Sequence, residues 1–144
     1  MRVAIASDHG GFDLKVQLAR HLEGAGHSVL DLGPEERMRV DYPDYAALVA
    51  RAVSEEECPL GVLVCGSGIG MSIAANKFRG VRAAVVQDVE HARLAREHNN
   101  ANILCLGGRF TAADLASAIL DAWLNTECSE ERHHARIAKI ATLE

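Results

Sequence analysis

Residues 61–78 read GVLVCGSGIGMSIAANKF, and the rest of the chain is organised around this stretch. Gly61–Val64 predicts a buried β-strand, residues 66–70 a glycine-rich turn, and residues 71–77 a helix of small side chains. A strand, a glycine turn and a helix start collect several free backbone N–H groups at one point, where the helix dipole adds partial positive charge. Such a point suits an anion.

Cys65 stands between the strand and the turn, so its thiol is expected to face this point. Positive charge at a helix N-terminus stabilises a thiolate, which makes Cys65 a candidate reactive group. The hydroxyl of Ser67 can donate to a developing oxyanion. The ordinary alternatives are a core cysteine, an N-cap serine and a connecting turn. A core cysteine does not need to end its strand at an anion site, so the combination favours a reaction centre.

The composition predicts one domain over residues 1–144, with 49% apolar residues but only 4% aromatic ones. The formal net charge of −5 argues against a nonspecific nucleic-acid binder. No apolar run approaches the roughly 20 residues of a membrane span, and residues 1–11 enter a strand rather than a signal peptide. The four cysteines form no CxxC pair and no zinc-like spacing with histidine. We therefore expect free thiols in the cytoplasm, and no metal.

Short aliphatic strands alternate with amphipathic helices along the chain. Strands are predicted at 1–7, 27–32, 61–64, 81–86 and 101–106, and helices at 12–25, 44–56, 71–77, 88–98, from a Thr111 cap onward, and at 129–143. This order predicts an α/β fold, namely a three-layer αβα sandwich with a five-stranded parallel sheet of the Rossmann or flavodoxin type. Residues 33–42 are polar and irregular, with Pro34 and Pro43 as breakers, and are predicted to form a loop over the site.

Polar residues follow the predicted strands, where ligands of parallel sheets bind. Asp8 and His9 end the first strand, and Arg109 follows two glycines at the end of the fifth. A carboxylate here can hold sugar hydroxyls and an imidazole can meet a phosphate. The alternative is a simple turn in which Asp8 accepts backbone N–H groups.

Three further candidates lie on helices. His98 ends the fourth predicted helix, where it can act as a general acid–base or only as a favourable charge at the negative end of the dipole. Arg132 and Arg136 share a face of the last helix and can clamp a phosphate dianion, unless that face is simply solvated. His133 and His134, between them, are interpreted as incidental.

Six motifs in order resemble the type B ribose-5-phosphate isomerases and the related galactose- and allose-6-phosphate isomerases. They are SDHGG (7–11), DYP (41–43), CGSGIGMSIAANK (65–77), REHNN (96–100), GGR (107–109) and RHHAR (132–136), and the resemblance covers nearly the whole chain. It implies an aldose–ketose isomerase without cofactor or metal. The implied reaction interconverts D-ribose 5-phosphate and D-ribulose 5-phosphate through a cis-enediolate, in the non-oxidative branch of the pentose phosphate pathway.

The resemblance also implies a role for each site residue. Cys65 matches the thiolate base that moves a proton between C1 and C2. Ser67, where threonine is common, and His98 match the ring-opening pair. Sugar and enediolate contacts are implied for Asp8, Tyr42, Gly66, Gly68, Ile69, Gly70 and Asn99, and phosphate contacts for His9, Arg109, Arg132 and Arg136. One branch of the family replaces the cysteine by a glutamate early in the next helix. Met71 holds that position here, so the chain resembles the cysteine branch.

The family assembles as dimers or tetramers of dimers whose sites are shared. The resemblance therefore implies a homodimer or tetramer, with the helix at 129–143 packed on a partner subunit, and a small sugar phosphate rather than nucleic acid or membrane as ligand. Two alternatives stay open. One is a galactose- or allose-6-phosphate isomerase, whose pocket is larger by one carbon. The other, from a different class, is a noncatalytic regulatory module that binds a sugar phosphate.

Overall fold

The computed structural model describes residues 1–144 and has five strands in one sheet. The strands are β1 (Arg2–Ser7), β2 (Ser28–Asp31), β3 (Leu60–Cys65), β4 (Ala83–Val85) and β5 (Ile103–Gly107). The helices are α1 (Phe12–Gly24), α2 (Tyr42–Ser54), α3 (Ile69–Ala75), α4 (Val89–Asn99), α5 (Ala113–Leu124) and α6 (Glu131–Ala141). Every strand pair is parallel, so the predicted αβα architecture is confirmed. None of the helices is both long and apolar enough to cross a bilayer.

The strand order, β2-β1-β3-β5-β4, decides which helices share a face of the sheet. The steps from β1 to β2 and from β4 to β5 run one way across the sheet, and the other two steps run the opposite way. Because crossovers between parallel strands are right-handed, opposite steps place their helices on opposite faces. Accordingly α1 and α4 lie with α5 on one face, and α2 and α3 cover the other.

The strands alternate their side chains between these two layers. Val62 and Val64 of β3 pack on the face of α1, α4 and α5, together with the fully buried Trp123. Leu63 and Cys65 point to the face of α2 and α3. This two-residue period follows from the pleat of a β-strand. It places the sulfur of Cys65 on the side of the sheet where the chain turns into α3.

Three helix starts test the expected capping. Asp88 caps α4, because its carboxylate accepts a hydrogen bond from the His91 N–H at 2.7 Å. The predicted Thr111 cap of α5 is wrong: Ala112 holds the N-cap position and no side chain caps this helix. Pro43 does not precede α2 but lies in its first turn, where a missing N–H costs no hydrogen bond. The loop therefore ends at residue 41, one residue earlier than predicted, because α2 already begins at Tyr42.

Candidate active site

The ends of β1, β3 and β5 meet at the carboxyl edge of the sheet. The backbone N–H of Gly108 donates to Cys65 O at 2.7 Å, and that of Asp8 donates to Val64 O at 3.1 Å, so pairing continues past the strands. A Cβ on Gly108 would lie only 2.6 Å from Gly10 O. Glycine is thus needed for the loops after β1 and β5 to approach each other across the end of β3.

Cys65 is 95% buried at this junction, with one hydrogen bond to its sulfur. The N–H of Gly68 donates to Cys65 Sγ at 3.1 Å. Gly68 adopts a φ of +80°, which turns its N–H toward the sulfur and starts α3 at Ile69, two residues earlier than predicted. Since α3 has only seven residues, this direct N–H contact matters more to the sulfur than the helix dipole does.

Ser67 lies in the same turn. Its Oγ accepts a hydrogen bond from the Ile69 N–H at 3.2 Å, in the manner of a capping side chain, although the N-cap position itself belongs to Gly68. A hydroxyl that accepts from the backbone still has its own proton to donate. The alternative capping role and the expected donor role are therefore compatible in this residue.

A cavity of about 570 Å³ opens above the turn. Its lining residues are Tyr42, Cys65, Gly66, Ser67, Ile69, Gly70, Ile73, Arg109 and Phe110. The Tyr42 ring lies flush against Gly70, where a Cβ would come within 2.6 Å of Tyr42 Cε1. Ile73 and Phe110, which sequence reasoning did not single out, are 60% and 73% exposed. Phe110 could have been singled out from the sequence, because it is a large apolar residue next to the polar turn GGR.

Polar groups that still have unpaired hydrogen-bonding atoms lie at the rim of the cavity and beside it. Asp8 Oδ1 accepts the Gly10 N–H at 2.8 Å, so its turn role is real, but Oδ2 has no partner in the chain. His9 Nδ1 lies 3.2 Å from Val40 O, and His9 Nε2 is unpaired. The Arg109 guanidinium lies over Gly66 without any ion pair or hydrogen bond in the chain. An imidazole nitrogen and a guanidinium are therefore available to an anion.

The other predicted site residues do not join this cavity. α4 ends at Asn99, next to the amino edge of the sheet, where Asn102 O accepts the Gly61 N–H at 2.8 Å. Cys65 is at the opposite end of the same strand, roughly 13 Å from Gly61 at about 3.3 Å per residue. In one chain, His98 and Cys65 thus lie at opposite edges of the sheet. The residues grouped at the end of α4 and on α6 are His98, Asn99, Arg132 and Arg136.

His133 belongs to this second group, and its interpretation as incidental is wrong. Its ring is 95% buried and stacks on the His98 ring with centroids 4.3 Å apart and planes at 24°. Burial, followed by the neighbouring charge of His98, lowers the pKa of His133. The ring nitrogen Nε2 has no hydrogen-bond partner. No spacing in the sequence reveals the burial of His133 or its stacking on His98, because both depend on how α6 packs against α4.

The two arginines of α6 differ in their pairing. Arg132 Nε donates to Glu130 Oε2 at 2.6 Å, and this bond lowers the pKa of Glu130. Arg136 has no ion pair in the chain. No three or more His, Cys, Asp or Glu side chains come together as metal ligands would.

Comparison with known proteins places these features in one family. Residues 3–140 match the family model described as Ribose/Galactose Isomerase. The chain is 43% identical over 143 residues to ribose-5-phosphate isomerase B of Escherichia coli K12, covering 99% of this chain and 96% of that protein. It superposes on ribose-5-phosphate isomerase B of Clostridium thermocellum with a TM-score of 0.97 and 48% identity, over 99% and 97% of the two chains.

A third relative was solved with a ligand. The structure of ribose-5-phosphate isomerase B from Mycoplasma genitalium with bound ribulose-5-phosphate matches with a TM-score of 0.95 and 43% identity, over 99% of this chain and 95% of that one. The similarity therefore extends over the whole length of the fold and includes the strand ends that carry Cys65. This chain belongs to the ribose/galactose isomerase family.

Proposed function

We propose that this chain is an aldose–ketose isomerase that interconverts D-ribose 5-phosphate and D-ribulose 5-phosphate without a cofactor. One observation carries the proposal: Cys65 Sγ, which accepts the Gly68 N–H at 3.1 Å, lines the same cavity as the unpaired Arg109 guanidinium. Isomerisation needs a base for a carbon-bound proton and a grip on a phosphate that does not react. The family match and the relative with bound ribulose-5-phosphate support this substrate class.

In the proposed mechanism, the Cys65 thiolate removes the proton from C2 of the open-chain aldose and returns it to C1. The proton of the C2 hydroxyl passes to O1, so the carbonyl at C1 becomes an alcohol, the alcohol at C2 becomes a carbonyl, and no atom or electron leaves the sugar. The intermediate is a cis-enediolate with negative charge on oxygen. Ser67, Gly66, Ile69 and Gly70 line the same cavity as the sulfur, and one hydroxyl or backbone N–H donor there would contribute roughly 3 kcal/mol to stabilising that charge.

Other groups in the cavity and beside it hold the substrate. His9 and Arg109 bind the phosphate, and Asp8 and Tyr42 bind sugar hydroxyls. The unpaired Nε2 of His9 and the free guanidinium of Arg109 support this assignment, because no acidic side chain of the chain neutralises them. Binding energy from the phosphate then orients the distant C1 and C2 against the sulfur.

We infer that two copies of the chain complete each site. His98 and Asn99 would open the sugar ring and hold the enediolate, and Arg132 and Arg136 would complete the phosphate grip, yet all four lie on the far edge from Cys65. A second copy that presents its far edge to the cavity supplies them. The exposed apolar side chains at the cavity, and those of Ile140 and Leu143 around the end of α6, support this contact. A homodimer is the smallest assembly that completes the site.

We further propose that residues 1–144 act as one catalytic domain in the cytoplasm. The family match over 3–140 supports the first point. All four cysteines are free thiols, which is usual in a reducing compartment.

A coupled isomerase assay on the wild-type protein tests the proposal. We expect the highest kcat/KM with ribose 5-phosphate, compared with galactose 6-phosphate and allose 6-phosphate. The comparison matters because the family description includes galactose isomerases. Higher efficiency with a hexose phosphate would reject the pentose assignment. Tight binding of ribose 5-phosphate without any turnover would identify the regulatory module instead.

A further inference from the structure

Lys15, on α1, is the most deeply buried charged side chain of the protein, and the proposed mechanism does not use it. Its exposed fraction is only 1%. A lysine is almost never buried to this extent unless its ammonium group is paired and hydrogen-bonded. The contacts of Lys15 Nζ therefore indicate which part of the structure the buried ammonium group stabilises.

All the polar contacts of Lys15 go to the last residue of β2 and to the segment that follows it. Nζ donates to Asp31 Oδ1 at 3.0 Å, to Asp31 Oδ2 at 3.1 Å and to Pro34 O at 2.7 Å. The Phe12 ring, with its centroid 5.2 Å from Nζ, covers the ammonium group. Lys15 thus fixes the point at which the chain leaves the sheet and enters segment 33–41.

The same point is tied to the end of β1. Asp31 Oδ1 also accepts the Gly33 N–H at 2.9 Å, and Gly33 O accepts the Ser7 N–H at 3.0 Å. Ser7 directly precedes Asp8, the first polar residue of the candidate site. The strand end that carries Asp8 and His9 is therefore two hydrogen bonds away from Asp31, and one away from Pro34, the covalent neighbour of Gly33.

The far end of segment 33–41 also meets the site. His9 Nδ1 lies 3.2 Å from Val40 O and 3.3 Å from Val40 N. Tyr42 follows immediately and packs on Gly70 in the cavity. Residues 35–39, between the two ends, are exposed, and their ion pair from Arg37 to Asp13 lies in solvent. The segment is thus fastened at its two ends, the first by Lys15 and the second by His9.

We propose that Lys15 is a positioning residue for the isomerase site. It anchors segment 33–41, and through that segment it holds Tyr42 and His9 in the geometry that receives the sugar phosphate. Lys15 itself does not touch the substrate. This inference rests on the proposed function, since it assigns Lys15 a part in that same site.

Lys15→Met tests the proposal, because it keeps the apolar stem and removes the ammonium group. We expect a KM for ribose 5-phosphate raised about tenfold with kcat changed less than about threefold, since His9 and Tyr42 act in binding. Hydrogen exchange should become faster at the amides of Ser7, Gly33 and Val40 and stay slow in β3 and β5. Arg37→Met, which removes only the solvent-exposed ion pair of the same segment, should behave as wild type.

Asp31→Asn is a second variant that tests the same proposal if Lys15→Met does not fold. Lys15 then retains Pro34 O, so we expect a smaller rise in KM and faster exchange confined to segment 33–41. Binding of inorganic phosphate, measured by calorimetry, gives the same comparison without turnover. A wild-type protein without isomerase activity would contradict the proposed function, and the phosphate measurement would still test the anchor. Wild-type KM, phosphate binding and exchange in both variants would overturn the proposal, as would exchange that rises uniformly across the sheet.

Discussion

His98 and Cys65 lie at opposite edges of the sheet, because α4 ends beside the start of β3 and Cys65 is the last residue of that strand. If both act on one sugar, they come from different copies of the chain. Cys65→Ala and His98→Ala should then each be inactive alone. Mixed, unfolded and refolded together at equal amounts, they should recover about a quarter of wild-type activity, because half of the dimers carry one intact site.

The prediction of a shared site has a control and an outcome that would contradict it. Refolding either variant by itself is the control and should recover nothing. A mixture that stays as inactive as its components, although exchange of subunits is demonstrated by mass spectrometry, would contradict a shared site.

Gly68 couples the turn after β3 to the sulfur. Its φ of +80° and its contact with Leu106 C, where a Cβ would lie at 3.0 Å, both require glycine. Gly80→Ala is a matched control, since Gly80 has a φ of +76° with open space around it. We expect Gly80→Ala to lose about 1 kcal/mol of unfolding free energy and to keep its activity.

Gly68→Ala should lose more stability than this control and also most of its kcat, because the N–H that contacts Cys65 Sγ is displaced. Denaturant unfolding and steady-state kinetics measure the two effects. Equal kcat in the two variants would show that the Gly68 N–H does not matter to the reaction.

Arg109 is expected to bind the phosphate rather than to react. Arg109→Gln should raise the KM for ribose 5-phosphate about tenfold or more, with a smaller effect on kcat, because a charge-assisted bond to the phosphate is lost. Arg79→Gln removes an equally positive but highly exposed side chain, whose ion pair with Glu144 is 3.7 Å long, and serves as control. The assignment fails if the two variants have the same KM.

His133 should make stability depend on pH. Burial and the charges of His98, Arg132 and Arg136 lower its pKa below the ordinary value of 6.5, while Glu130 opposes them. Below about pH 6.5 the unfolded chain therefore binds a proton that the folded chain refuses, so the free energy of unfolding falls as the pH drops toward the folded-state pKa. Beneath that pKa both states are protonated and this contribution no longer changes.

Replacing His133 by Phe keeps a ring against His98 and removes the titration. We expect the variant to lose less unfolding free energy than wild type between about pH 7.5 and about pH 5.5. His134→Gln, at the neighbouring exposed position, should keep the wild-type dependence. Identical pH dependence in His133→Phe and wild type would refute this role.

The parts of the fold that were predictable are those encoded by neighbouring residues. Aliphatic runs such as Leu60–Cys65 mark buried parallel strands wherever they stand, and Asp88 caps its helix through a contact three residues away. The strand order was not predictable, because β4 could lie on either side of β5 without a change in local pattern. The failed Thr111 cap has a similar cause: Thr111 is buried in the tertiary fold and Ala112 takes its place.

The candidate site divides in the same way. Cys65, Ser67 and Gly68 form their contacts within four residues, so the motif indicated their proximity. The separation of His98 from Cys65 depends on the edge of the sheet at which α4 ends. Contacts distant in sequence also govern Lys15, whose partners are 16 and 19 residues away, and no periodicity distinguishes it from a surface lysine.

The most direct measurement is the turnover of Cys65→Ala with ribose 5-phosphate, beside its binding of inorganic phosphate. With the sulfur as the base that moves the C2 proton, kcat should fall about a thousandfold or more. Phosphate affinity should stay within about threefold of wild type, because the cavity and its arginine remain. Turnover within about tenfold of wild type in the folded variant would contradict the thiolate mechanism.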